Sequence, residues 1–360
     1  MRVTIVGAGN AGYSHSAMFS ERGHEVTLLK TTHLMYDDSF EWLKEHKQIS
    51  YIKDGLKGKV KLHKATRNIE EAISGAEVIF VLTQSVAHKH LSEMITPYLK
   101  EGQALVVSPG YCGSFYFSTK CKGKNILFAE GESLPFDARI TGIGIVDICN
   151  ENVRNPLGFF PSNRTKEGIQ KMKEVLPSFT ERNNILESAF HNPNLIVHTV
   201  GAIMSVGRIE YSKGDFWMYR EAFTPTIWRL INKLDQEKCN ILGYFNLPRQ
   251  SFADSFQFRT YEDLEEDSMV AFKHYAMHGS PKGPLDAKTR YITEDVPMGL
   301  CFMSSVGKKI GIETPVCNSL IEIASAMHDV DYFKIGRTLK DLGMEKYTQS
   351  ELLSLLRTGF

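Results

Sequence analysis

The chain opens on a short apolar run, Arg2-Val3-Thr4-Ile5-Val6, that flows directly into Gly7-Ala8-Gly9-Asn10-Ala11-Gly12. No other feature restricts the fold as much. A β-branched run predicts a strand, and Ala11 to Arg22, closed by Gly23, reads as a helix leading into a second strand, His24 to Leu29. Each glycine of the G-x-G-x-x-G spacing has its own physical reason. Gly7 permits the tight turn, Gly9 lets a pyrophosphate approach the backbone, and Gly12 lets helix and strand pack closely. The unpaired N–H groups at the helix start, around Asn10 and Ala11, then face the phosphates with a partial positive charge. Strand, glycine turn, helix and strand together point to a dinucleotide.

The alternation continues. Glu77 to Leu82, Ala104 to Ser108, Asn125 to Ala129 and Gly142 to Cys149 read as strands, with helices near Asp37 to Lys47, Ile69 to Ser74 and Ala87 to Leu99. This predicts an α/β domain of Rossmann type, with a doubly wound, mostly parallel sheet. From about Thr180 the period changes. Leu195 to Glu210, Pro225 to Tyr244, Met298 to Gly311 and Asn318 to Met327 all carry helical spacing. Thr224-Pro225 is a good helix start, with Thr as N-cap and Pro where its missing N–H costs nothing. The expected organisation is a cofactor domain over residues 1–180 and an all-α C-terminal domain over 181–360.

The 360 residues carry 42 basic and 42 acidic side chains, so the net charge gives no reason to expect nucleic acid or an anionic membrane as partner. The six cysteines are scattered with no C-x-x-C pair and read as buried free thiols. No window approaches the ~18 apolar residues of a membrane span. A strand at the extreme N-terminus does not double as a cleaved leader, so the cytoplasm is the expected compartment. His88, His90, His274 and His278 lack ligand spacing with Cys or paired carboxylates, so no metal is expected and they read as exposed.

An acid near the end of the second strand usually binds the ribose 2′-hydroxyl of NAD. Here that stretch is Leu29-Lys30-Thr31-Thr32-His33. Lys30 and Thr31 suit a 2′-phosphate, so NADP is favoured over NAD.

Two segments of the helical half carry polar groups in unexpected places. Asn194 and His198 share one helix face in the apolar run Leu195 to Ile203, where a histidine is costly unless hydrogen-bonded. Taken alone, His198 reads as a satisfied structural histidine. Thr289 to Pro297 places Arg290, Thr293, Glu294 and Asp295 just ahead of an apolar helix, and by itself reads as an N-cap with a solvated turn.

Together these segments resemble the octopine/nopaline (opine) dehydrogenase family. The resemblance rests on Asn192-Pro193-Asn194 with His198, on Gly207 and Ile209-Glu210, on Phe223-Thr224-Pro225, and on Arg290-Tyr-Ile-Thr-Glu-Asp295-Val-Pro. Ala129 to Arg139, with Leu134-Pro135, is similar to a segment late in that family's Rossmann domain. The resemblance spans nearly the whole chain. It implies a helical domain of the 6-phosphogluconate dehydrogenase C-terminal kind, and NAD(P)H-dependent reductive condensation of an amino-acid amine with an α-keto acid such as pyruvate. It makes His198 the acid/base, Asp295 its partner, Arg290 the clamp on a substrate carboxylate, and Asn194 an orienting group. Tyr219, with Arg220, is a candidate contact to the amino-acid carboxylate, although aromatics there are as readily core. Thr199 stands where the family often has proline, which questions the local helix start.

Two other readings compete. A simple keto-acid reductase, like ketopantoate reductase or glycerol-3-phosphate dehydrogenase, would use a lysine, and the helical stretch offers none before Lys213. A non-catalytic NAD(P)-binding sensor would be expected to have lost one of His198, Arg290 and Asp295. A homodimer is left open.

Overall fold

The computed structural model describes residues Met1–Phe360. The chain divides into two compact units, Met1–Ile185 with Leu356–Phe360, and Leu186–Leu355. The C-terminal residues group with the first unit, where the Phe360 ring packs 5.6 Å from both Phe115 and Phe160.

The first unit contains twelve strands: β1 (Arg2–Val6), β2 (Glu25–Leu29), β3 (Gln48–Lys53), β4 (Leu56–Lys61), β5 (Lys64–Thr66), β6 (Val78–Val81), β7 (Ala104–Val107), β8 (Leu127–Gly131), β9 (Phe136–Gly142), β10 (Ile145–Glu151), β11 (Asn155–Phe160) and β12 (Phe179–Glu181). Eight form one sheet in the order β12-β11-β8-β7-β6-β1-β2-β5, parallel except where β11 meets β8. The strand order reverses at β1, with β2 on one side and β6 on the other. That is the switch point at which open α/β sheets leave a crevice beyond the carboxyl ends.

The remaining strands form a second sheet, β4-β3-β10-β9, that the strand pattern of the sequence does not reveal. Helix α1 (Asn10–Glu21) packs against both sheets, so residues Gly12 through Phe19 are all buried. A helix enclosed on all sides shows little amphipathic pattern, which is why its sequence is rich in small and apolar residues. Phe19, Val26, Leu28, Phe80, Phe136 and Val146 join one core from both sheets. Each such side chain contributes about 1.5–3 kcal/mol by leaving water.

The second unit is helical; its one β-pairing is an isolated bridge between Trp217 and Gly283. The helix Pro225–Tyr244 has the expected bounds, with Thr224 extended at its N-cap (φ −69°, ψ 165°). It buries Ile231, Leu234, Ile241 and Leu242, and with them Asp235 and Glu237. Both carboxylates accept from the starts of other helices, and Asp235 also pairs with the buried Lys238 at 2.6 Å. Asp235 accepts from Phe252 N at 2.9 Å, and Glu237 accepts from Val316 N (2.8 Å) and Cys317 N (3.0 Å). The long helix expected from Leu195 to Glu210 is instead two, Asn194–Ile203 and Val206–Tyr211, broken at Met204-Ser205. No helix of the chain is long and apolar enough to cross a membrane.

Candidate active site

The glycine turn occupies the carboxyl end of β1. Gly7 N donates to Leu29 O (2.9 Å) and Leu82 N to Val6 O (2.9 Å), tying the turn to both neighbouring strands. Gly7 sits at φ +112°, where an L side chain is strained. A Cβ on Gly12 would lie 1.8 Å from the Gly7 carbonyl oxygen, so helix and turn touch there. A Cβ on Gly9 would meet nothing within 4 Å. The protein itself therefore does not require glycine at position 9; an approaching pyrophosphate does. Gly9 caps α1 with no side-chain hydrogen bond, which leaves the first N–H groups available to an anion. The residues present fit a dinucleotide.

Asn10 is used structurally, its Oδ1 accepting from Ile140 N of β9 at 2.9 Å. The Ala11 carbonyl takes Ser14 Oγ (3.0 Å) and the His15 ring (2.7 Å).

Lys30 requires a correction. It is only 5% exposed, and its three N–H donors go to Leu34 O (2.6 Å), Met35 O (2.8 Å) and Asp37 Oδ1 (2.7 Å). The ammonium anchors the loop after β2 and is not presented to a 2′-phosphate. Arg67 joins the cluster, donating to Thr32 O, Asp37 and Glu41 while lying over the Phe40 ring at 4.8 Å. Hydrogen bonds from Lys30 and then Arg67 hold the Asp37 carboxyl well below the usual carboxylate range. Lys44 also pairs with Glu41 at 2.8 Å, so three cations face the two carboxylates. Thr31 is half-buried beside them. The sequence pattern does not show this, because the neutralising acid comes after a loop and not at the strand end.

His88 also departs from expectation. It is fully buried at the start of the helix His88–Ile95, its Nδ1 lying 2.3 Å from where a Cβ on Gly113 would be.

In the second unit the expected partners meet. His198 lies within the helix Asn194–Ile203, and its Nδ1 is 2.8 Å from Asp295 Oδ2. The two are 5% and 3% exposed. A carboxylate only accepts, so Nδ1 carries the proton of that bond. Thr199 does not disturb the helix; its hydroxyl turns back to Leu195 O at 2.7 Å. Asn194 is placed by the preceding turn, its backbone N–H donating to Asn192 Oδ1 at 3.0 Å.

One short segment supplies the groups opposite the histidine. Thr289 caps the helix Arg290–Thr293, and Asp295 precedes the π-helical turn Val296–Leu300. Arg290 is about half exposed, and its Nη1 stands 3.7 Å from Glu294 Oε2, too long for a hydrogen bond. Tyr291, which nothing in the sequence singles out, stacks on the His198 ring with centroids 3.6 Å apart and planes 16° from parallel.

Tyr219 lies in an aromatic cluster, 5.7 Å from Phe223 and 5.3 Å from Tyr275. Phe223 in turn packs against the histidine helix, with Cζ 3.0 Å from where a Cβ on Gly201 would be. Arg220 is occupied elsewhere, donating to Ala276 O and Met277 O at 2.9 Å each. It therefore serves the end of the helix Ser268–His278, and the carboxylate role considered for it is set aside.

Comparison with known proteins agrees with this geometry. Residues 181–328 match the family model described as NAD/NADP octopine/nopaline dehydrogenase, alpha-helical domain, and residues 2–110 match NAD-dependent glycerol-3-phosphate dehydrogenase N-terminus. The chain is 26% identical to an opine dehydrogenase of Arthrobacter sp. (strain 1C), covering 97% of both chains. Its helical domain carries the octopine/nopaline dehydrogenase model, and opine dehydrogenases are similar to it along nearly the whole chain. Octopine dehydrogenase of Pecten maximus is 28% identical over 97% of this chain and 96% of its own. A solved octopine dehydrogenase with NADH and agmatine superposes with a TM-score of 0.76 at 19% identity, covering 100% of this chain and 98% of that one. The chain is an NAD(P)-dependent oxidoreductase. His198 and Asp295, paired in the structure, both fall within the helical-domain match.

Proposed function

We propose that the chain catalyses the reductive condensation of an amino-acid amine with an α-keto acid, pyruvate first among candidates, and the reverse reaction. The amine adds to the carbonyl, water leaves to form an imine, and reduction of the C=N bond gives a secondary-amine dicarboxylate. The bound nicotinamide supplies the hydride. His198 Nε2 supplies a proton to the departing hydroxyl and takes one from the attacking amine, with Asp295 stabilising the imidazolium between the two. Arg290, planar and partly exposed, pairs with a substrate carboxylate, and Asn194 orients the substrate or the nicotinamide amide. Tyr219 contributes an aromatic wall on the amino-acid side. The observation that carries this reading is the buried His198–Asp295 bond. The solved octopine dehydrogenases hold NADH with L-arginine, agmatine or pyruvate, which supports an amine and a keto acid as the two small-molecule substrates.

For the cofactor, Lys30 no longer argues for NADP. Lys30 and Arg67 are already spent on the loop and on Asp37 and Glu41, and we propose that NADH is used at least as well as NADPH.

The test is oxidation of NADH and NADPH with pyruvate and a pooled amino-acid set, omitting each component in turn. Oxidation that needs both supports the condensation. Oxidation with pyruvate alone would return a simple keto-acid reductase, and tight cofactor binding without turnover would favour a sensor.

A further inference from the structure

We infer that Tyr291 is a positioning residue for the acid/base: its ring face holds the His198 imidazole in plane and stabilises the imidazolium. The inference rests on the acid/base reading of His198 given above. Two neutral aromatic rings prefer offset or edge-on packing with centroids 4.5–7 Å apart, because their faces are both electron-rich. The Tyr291–His198 pair is nearly parallel at 3.6 Å. That arrangement is poor for a neutral imidazole and good for a cation, which is drawn to a tyrosine face within about 6 Å.

The two restraints on the imidazole are complementary. Asp295 binds Nδ1 in the ring plane at 2.8 Å, setting rotation within that plane. Tyr291 covers a face and sets the tilt. Both come from the segment that also carries Arg290. Thr289 Oγ1 accepts from Tyr291 N at 3.4 Å and fixes the start of the helix Arg290–Thr293, so the tyrosine enters with its backbone already ordered.

The role depends on the ring face, and the phenolic hydroxyl has no part in it. Tyr291→Phe should therefore keep kcat, whereas Tyr291→Leu should lower kcat about five- to thirty-fold with the cofactor KM unchanged. Replacing Tyr291 by progressively fluorinated phenylalanines keeps the shape while draining the ring face, and should lower kcat stepwise. This series remains decisive if the leucine variant fails to fold. Independently of activity, ring current from Tyr291 should hold the His198 Cε1–H and Cδ2–H resonances upfield; they should stay there in Y291F and move downfield in Y291L. A wild-type ring-current shift without any amine-dependent turnover would reject the acid/base reading and leave the stack in place. Turnover unaffected by fluorination, or lost equally in Y291F and Y291L, would overturn the inference itself.

Discussion

Asp295→Asn keeps the shape of the side chain and removes its charge from a site where both partners are almost fully buried. In the wild type a carboxylate oxygen stands 2.8 Å from His198 Nδ1. With charge centres about 4 Å apart and an effective dielectric near 20, the attraction to an imidazolium is about 4 kcal/mol. A neutral amide retains a hydrogen bond, so part of that is recovered, and the net loss is about 2–4 kcal/mol. Asparagine can also donate to Nδ1, which would leave the neutral ring protonated at Nε2, the wrong tautomer for accepting a proton from the amine. Turnover should fall by about 30- to 1,000-fold. The assay is steady-state oxidation of the reduced cofactor with keto acid and amine at saturation. Cofactor affinity, read by fluorescence quenching, should be nearly intact, since the dinucleotide turn lies in the other unit. Circular dichroism checks that the variant is folded. Unchanged kcat in a folded variant would remove Asp295 from the mechanism and the reasoning with it.

Three further outcomes follow from other parts of the molecule. Lys30→Met should loosen the loop after β2, lowering Tm and raising KM for NADH and NADPH by similar factors; a switch in their ratio would mean that Lys30 does reach the 2′ position after all. Arg290→Lys keeps the charge but loses the planar fork, so the keto-acid KM should rise while cofactor affinity holds, and an unchanged KM in the pyruvate titration would rule the clamp out. His15 is fully buried, and burial pushes its pKa down to about 4 from 6.5. Its folded-state value is depressed, so the unfolded chain binds the extra proton, and stability present above pH 6.5 is lost as pH falls towards 4, by about 3 kcal/mol in all. Denaturant titrations across that range should show the slope, and His15→Leu should flatten it; an equal slope in both proteins would discard the assignment.

The legible parts of the chain are those where local chemistry has few solutions. The turn from Gly7 to Gly12 admits one backbone path, and Thr224-Pro225 starts a helix whose apolar spacing carries it to Tyr244. The second sheet is hidden for a different reason. Its β3–β4 hairpin turns at Asp54-Gly55, both at positive φ (51° and 75°), which is a strong hairpin signal. However, Lys57, Lys59 and Lys61 make the edge strand look like a solvated loop, as charged residues on exposed edges do. In the site, His198 alone reads as a structural histidine and Arg290 and Asp295 as a solvated helix start; the resemblance to the opine dehydrogenases is what joins them. Tyr291 does not stand out, because an aromatic beside an isoleucine reads as packing until its 3.6 Å stack on the histidine is known. Lys30 shows the converse error. Its position at the end of β2 suggests a ligand, while its three acceptors come from a loop whose path the sequence does not display.

The central claim, that the reduced bond is an imine carbon–nitrogen bond, is tested most directly by following the hydride. The enzyme would be run with pyruvate, the amino acid that supports turnover, and cofactor deuterated at the transferred position, and the products would be read by mass spectrometry. The account predicts a secondary-amine dicarboxylate, equal in composition to the two substrates less water plus the added hydrogens, with one deuterium on the carbon that was the keto-acid carbonyl. Deuterated lactate, with the amino acid recovered unchanged, would contradict it.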